Sequence, residues 1–118
     1  MVFTNAGRNE VRDWLAGVAA TAPIRIAVGD DNTAASEDDT TLANELTRKA
    51  FESTDSSAPR KVTFEGILDS TEQNGETLRE LGLLNNAVAG DLFLRVTHAA
   101  LQKTSAIDVQ YLIVLEVL

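Results

Sequence analysis

The stretch ETLRELGLLNNAVAGDLFLRVTHAA, Glu76 to Ala100, leaves little choice of local structure. Thr77–Leu84 and Asp91–Thr97 read as extended segments, and Asn85–Gly90 between them is rich in turn-forming residues. The pattern predicts a β-hairpin with a medium loop. With Leu84 opposite Asp91, antiparallel counting places Glu80 directly across from Arg95. An opposite-charge pair across two strands is worth roughly 0.2–1 kcal/mol. Glu80 shares its face with Leu78, Gly82 and Leu84, so a covered face makes the pair a buried one that sets register. On an exposed face it has little consequence.

The remaining elements follow from capping residues, periodicity and turn signals. Thr4 or Asn5 caps a helix in which Val11, Leu15 and Val18 recur at helical spacing with Trp14 beside them. This predicts an amphipathic helix from about Asn5 to Leu15, ending near Gly17, its apolar stripe docked on the domain. Trp14 reads as a packing residue or an anchor between subunits. After Pro23, Ile24, Ile26 and Val28 alternate with Arg25 and Ala27 in a short strand that stops at Gly29. Gly29–Thr41 (GDDNTAASEDDTT) is a polar acidic loop. Thr41–Thr47 places Leu42 and Leu46 four apart, which predicts one or two helical turns, with a strand starting in Arg48–Ser53. Asp55–Pro59 is a turn or loop tip. Arg60–Leu68 alternates, with Gly66 read as a bulge, and Asn74-Gly75 suits positive φ. Ile107–Leu118 is the longest strand candidate. Its second half is apolar on both faces, so it is expected to be central or covered by a neighbour. About six strands and one helix give a mainly β fold, an antiparallel β-sandwich with one N-terminal amphipathic helix, as a single domain over residues 1–118.

Composition narrows the function. The chain has 18 acidic and 10 basic residues, a net charge of −8, and three lysines (Lys49, Lys61, Lys103), so neither a nucleic-acid backbone nor an anionic membrane is an expected partner. An acidic, lysine-poor surface fits a protein of a salt-loving organism, because hydrated carboxylates stay soluble where salt screens repulsion. It also fits an ordinary acidic protein. There is no cysteine, which excludes disulfides and thiol chemistry. No apolar run approaches the ~20 residues that span a bilayer, and the N-terminus lacks the pattern of a secretory signal.

Residues with chemistry are sparse. Asp30, Asp31, Asp38 and Asp39 carry the oxygen ligands calcium prefers, but their spacing is not that of an EF-hand loop, and a solvated loop is the plainer reading. His98, the one histidine, follows a strand and has no motif around it. Asp30, Glu65, Glu76 and Glu80 are carboxylates in number only for a glycosidase pair. No phosphate-binding glycine loop is present. The expectation is a protein without catalysis, cofactor or resident metal.

Three segments carry a resemblance: TNAGR at Thr4–Arg8, IAVGDDNTAASEDDTTLANEL at Ile26–Leu46, and RELGLLNNAVAGDLFLR at Arg79–Arg95. Together they resemble the N-terminal domain of phage tail-collar fibre proteins and the small structural proteins of tailed viruses that share its pattern. The matching positions are Thr4, Asn5, Gly7, Ala27, Val28, Gly29, Leu42, Asn44, Glu45, Glu80, Gly82, Leu83, Gly90 and Arg95. Leu84 departs from the usual Phe, and no fibre repeat follows within Leu118. The resemblance implies a non-enzymatic component of the virion, with these positions structural. It implies a cyclic homo-oligomer working as a capsid turret or decoration base, or as a tail-baseplate or fibre adaptor, with other virion proteins as partners and a host surface receptor beyond them. Host contact is then expected through a partner or the loops. Trp14, Leu112 and Val114 are the natural interface residues. With the acidic surface added, the expected host is halophilic, an archaeon. The alternative is a stand-alone carbohydrate- or receptor-binding β-module, with the loops Gly29–Thr41 and Asn85–Gly90 as its site and calcium as a candidate aid.

Overall fold

A computed structural model describes residues 1–118. In chain order the elements are β1 (Val2–Phe3), α1 (Asn5–Leu15), β2 (Arg25–Gly29), β3 (Glu45–Ala50), β4 (Ser53–Asp55), β5 (Lys61–Leu68), β6 (Thr77–Leu84), β7 (Leu92–Gln102) and β8 (Val109–Glu116). They form two antiparallel sheets, of strand order β1-β7-β6-β2-β3 and β4-β5-β8. The fold is mainly β, an antiparallel sandwich with one N-terminal helix.

Alternation decides which side chains meet between the sheets. Ile26 pairs with Leu83 and Leu83 with Leu94, while Val28 pairs with Leu81, so these residues share one face of the first sheet. That face meets Phe64 and Ile113 of the second sheet in one cluster, and Leu68 and Val109 in another. Gly66 lies within an unbroken β5–β8 register, so it is not a bulge. Instead it admits Ile26, whose Cγ2 would lie 2.7 Å from a Cβ placed there.

The opposite face of the first sheet is also buried. Ala27, Leu84 and Leu92 lie there beneath Leu42, delivered by the acidic segment between β2 and β3. The expected hairpin strand β6 runs over Thr77–Leu84, but β7 is longer than expected and continues to Gln102. A register shift between Leu83 and Leu84 leaves Phe93 as an extra residue in β7. Phe93 stacks on Trp14 at 6.2 Å and meets Phe3 edge-on at 6.5 Å.

Helix α1 has the expected bounds, with Thr4 as its cap. The Gly7 amide donates to Thr4 Oγ1 at 3.0 Å, and the same hydroxyl donates to Leu92 O in β7. At the other end Gly17 takes φ of 74°, Val18 N donates to Asp13 O and Gly17 N to Trp14 O, which is a Schellman ending. The docking differs from a simple apolar stripe. Gly7 is the buried residue of the helix, set directly against the Phe93 backbone, while Leu15 and Val18 stay exposed.

Two further expectations are corrected. Thr41–Thr47 is not helical: Thr41–Asn44 is irregular, and a strand begins at Glu45 because its residues pair with β2. That strand ends at Ala50, and the chain then passes to β4 in the other sheet, so the expected strand start at Arg48–Ser53 falls across two strands. Strand β8 is not central, and no element of the chain covers its outer face. It pairs with β5 alone, and Leu112 and Val114 point outward, 58% and 47% exposed.

Candidate functional site

Beneath the acidic segment, on the face of the first sheet turned away from the second, lie two opposite charges. Glu80 is 0% exposed and Arg95 is 1% exposed. They are not directly opposite: Glu80 faces Thr97 and Arg95 faces Gly82. The register is two residues from the expected one, because the hairpin closes on Leu84 opposite Leu92 with an extra residue behind it. The two side chains meet along the diagonal, across the space left by Gly82, with Arg95 Nε donating to Glu80 Oε1 at 2.9 Å.

Glu80 also holds the acidic loop. Its Oε1 accepts from Ala43 N at 2.8 Å, and its Oε2 accepts from Asn44 N at 2.9 Å and Asp31 N at 3.1 Å. One carboxylate therefore receives amides from both ends of the segment Asp30–Asn44 and closes it like a clasp. Arg95 reaches the middle of the segment through NH1, 3.3 Å from Asp39 Oδ2. Its NH2 is buried without a hydrogen-bond partner. The glycines make room: a Cβ at Gly29 would strike Asn44 O and come within 2.6 Å of Glu80 Oε2, and one at Gly82 would lie 2.8 Å from Leu92 Cδ1 and 3.0 Å from Leu42 Cδ2.

The outer end of the loop is fastened to α1. Asn5 N donates to Glu37 O at 2.8 Å, Asn5 Nδ2 to Asp38 Oδ1 at 2.9 Å, and Arg8 NH1 to Glu37 Oε2 at 2.8 Å. The four loop aspartates point to different partners. Asp30 accepts from Asn44 Nδ2, Asp31 from Thr33 N, Asp38 from Asn5, and Asp39 from Ser36 N and Arg95. No group of three acidic or imidazole side chains converges as a cation cage would require. The hydroxyl and amide of Thr33 hold the Asp31 carboxyl below its usual value.

The other titratable candidates are apart from this centre. His98 lies inside β7 rather than after it, because the strand runs on to Gln102. Its Nδ1 is 2.8 Å from Ala99 O and its Nε2 is 2.9 Å from the Tyr111 hydroxyl. A carbonyl can only accept, so a neutral ring carries its proton on Nδ1 and Tyr111 donates to Nε2. Burial pushes the Tyr111 hydroxyl up to about 12. Glu65 accepts from Gln110 Nε2 on the outer face of the second sheet, far in role from the clasped Glu80. Neither cavity, of about 280 and 460 Å³, is lined by Asp30, Glu65, Glu76 or Glu80. Both lie between α1 and the second sheet and share Phe3, Val11, Val62 and Leu115. Trp14 lines the smaller one and is 42% exposed.

Sequence reasoning found the Glu80–Arg95 pair and missed what it binds. The three amides and Asp39 carry no side-chain signal that would mark them as partners. Lys103 was also missed: it is 0% exposed, its Nζ donating to Asn74 Oδ1 and Thr104 O, both at 2.9 Å. No protein-family model matches the chain, and no curated protein matches it.

Proposed function

We propose that the protein is a structural component of a tailed-virus particle, an oligomeric capsid-turret or decoration piece or a tail-baseplate or fibre adaptor, and not an enzyme. One observation carries the reading. The positions behind the resemblance to tail-collar fibre domains lie in three separate segments, yet Gly29, Leu42, Asn44, Glu80, Gly82 and Arg95 form one contact network around a buried carboxylate. Thr4, Asn5 and Gly7 join that network's loop and strand to the helix. A scattered pattern that becomes one network is what a fold-determining signature should look like, and its residues are consumed in holding the scaffold together.

Such a scaffold fixes its loops for contact with neighbours. Asn85–Gly90 is tied down by Arg48 NH1, which donates to Asn86 O at 3.1 Å and Ala89 O at 2.7 Å, and it presents Val88 at its tip, 79% exposed. In this reading the acidic surface belongs to a halophilic setting. The test is mass spectrometry of purified particles of the source virus, followed by a reconstruction in which the copies are located. Recovery at a stoichiometry matching a symmetric ring or lattice is expected. Absence from purified particles overturns the reading.

A further inference from the structure

Four strands end the two sheets, and three of them are poor templates for another strand. β1 has two residues and β4 three, and β3 (ELTRKA) carries Glu45, Arg48 and Lys49 along its length. Short edges and charged edges are the usual guards against pairing between chains. β8 is different. It has eight residues, and from Val109 to Leu115 (VQYLIVL) it holds no charge and no proline. Between Gln110 and Glu116 it makes no backbone hydrogen bond outside its ladder with β5, so its second edge presents free donors and acceptors. Beside that edge stand Leu112 and Val114, exposed at 58% and 47%. An extended edge with unpaired amides and apolar neighbours fits a strand as its partner, not a helix or a small molecule.

The sequence of β8 is complementary to itself. A two-fold axis perpendicular to the sheet keeps outward residues outward, so only registers that pair like faces are allowed. Centring on Ile113 pairs Gln110 through Glu116 of one copy with Glu116 through Gln110 of the other. Leu112 then lies beside Val114 of the second copy, and Glu116, opposite Lys61 on its own β5, lies beside the neutral Gln110 of the second copy. Moving the centre to Leu112 would set Glu116 against Asp108, two like charges, which is destabilising.

We propose that β8 is an assembly edge on which a second copy of this chain pairs antiparallel about Ile113, joining the two three-stranded sheets into one continuous sheet. The pairing rests on the oligomeric reading given above and supplies its contact. Two copies joined this way close as a dimer, and a larger closed assembly that contains this two-fold has dihedral symmetry, so the oligomer has an even number of copies.

The test uses the purified chain at molar chloride. Sedimentation across a range of concentrations is expected to show a dimer or a larger even-numbered oligomer, and Val114→Lys, which places an exposed charge on the edge, weakens pairing about tenfold or more. The register is read independently, because the chain has no cysteine of its own. Directly opposite residues have Cβ atoms about 4.5–5.5 Å apart and diagonal ones about 7–8 Å. A mixture of the Leu112→Cys and Val114→Cys variants is therefore expected to cross-link under mild oxidation faster than either variant alone. A monomer at every concentration, an odd-numbered oligomer, or a Leu112→Cys variant that cross-links to itself as fast as the mixture does overturns the proposal. A monomer in solution leaves particle membership to the proteomic test, and absence from particles leaves a measured dimer standing, so the two failures are distinct.

Discussion

A carboxylate sealed from water keeps its charge only where the protein replaces the lost hydration. At Glu80 the replacement is three backbone amides and one guanidinium. Glu80→Ala removes the acceptor for all four donors and leaves the buried Arg95 with Asp39 as its one remaining acidic partner. Breaking a buried pair on one side costs about 3–5 kcal/mol. Glu65, whose partner is the exposed Gln110, is the control, and its alanine variant is expected to lie within about 0.5 kcal/mol of the parent. Chemical denaturation of both measures the difference, and equal effects would sink the clasp. Gly29→Ala is expected to cost about 1–3 kcal/mol by overpacking, because the new methyl meets Asn44 O and the Glu80 carboxylate. Acid adds a second test at this scale. Asp31, Asp55 and Asp69 are held below 3.8 by hydrogen bonds from Thr33, Ser57 and Thr71. Their contribution is present above that value and is lost as pH falls through the lowered values of the folded state. Glu10 has the opposite sign: a hydrogen bond shared with Asp91 raises it above 4.5, so its contribution is present below 4.5 and is lost as pH rises through the raised value. Thermal melts across this range are expected to show Glu10→Gln flattening the decline above 4.5 while leaving the acid limb below 3.8 unchanged.

Helix α1 shows how closely sequence and structure agree when the signals are local. The Thr4 cap and Gly17 act within a few residues and fall at the observed bounds Asn5–Leu15, whereas the stripe of Val11, Leu15 and Val18 does not describe the docking, since Leu15 and Val18 are exposed. Thr4→Ala removes the cap and the bond to Leu92 O together, so the upper part of the ~0.5–2 kcal/mol range for capping losses is expected in a urea titration. β3 shows the opposite case. Leu42 and Leu46 fall four apart by coincidence: Leu42 covers Ala27, Leu84 and Leu92, and Leu46 belongs to a strand that exists because β2 offers it an edge. Pairing between distant segments leaves no periodicity to read. The same reasoning explains the hairpin. Alternation placed Glu80 and Arg95 on one face, but the extra residue Phe93 is held by Trp14 and Phe3, so the register depended on residues some eighty positions away in the chain. For β8, two apolar faces were legible; whether a neighbour within the chain covers the second face is a matter of sheet order, which has no local signature.

At the scale of the whole molecule, the excess of carboxylates matters more than any one pair. The ion pairs Arg8–Glu37, Arg12–Asp13 and Arg60–Glu116 are open to solvent, where each is worth about 0–1 kcal/mol and is weakened by salt. The buried Glu80–Arg95 pair is screened far less. A net charge of −8 meanwhile repels itself over the compact surface. Adding chloride therefore relieves more repulsion than it removes attraction, and the melting temperature is expected to rise with salt; a steady fall would contradict this balance. The shape of the rise separates the two origins of the acidic surface. The Debye length shrinks from about 30 Å at 0.01 M to about 10 Å at 0.1 M and 3 Å at 1 M. An ordinary acidic protein gains most of its increment by about 0.1 M and then levels off. A protein adapted to molar salt continues to gain, because closely spaced unpaired carboxylates still repel until the screening length approaches their separation. The same repulsion acts between two copies approaching along β8. Pairing is therefore expected to tighten as chloride rises, whereas the Val114→Lys variant, with one negative charge offset in each copy, is expected to depend on salt less steeply. Sedimentation of both chains over one salt series measures the two slopes, and parallel slopes would mean that charge does not control how the copies meet.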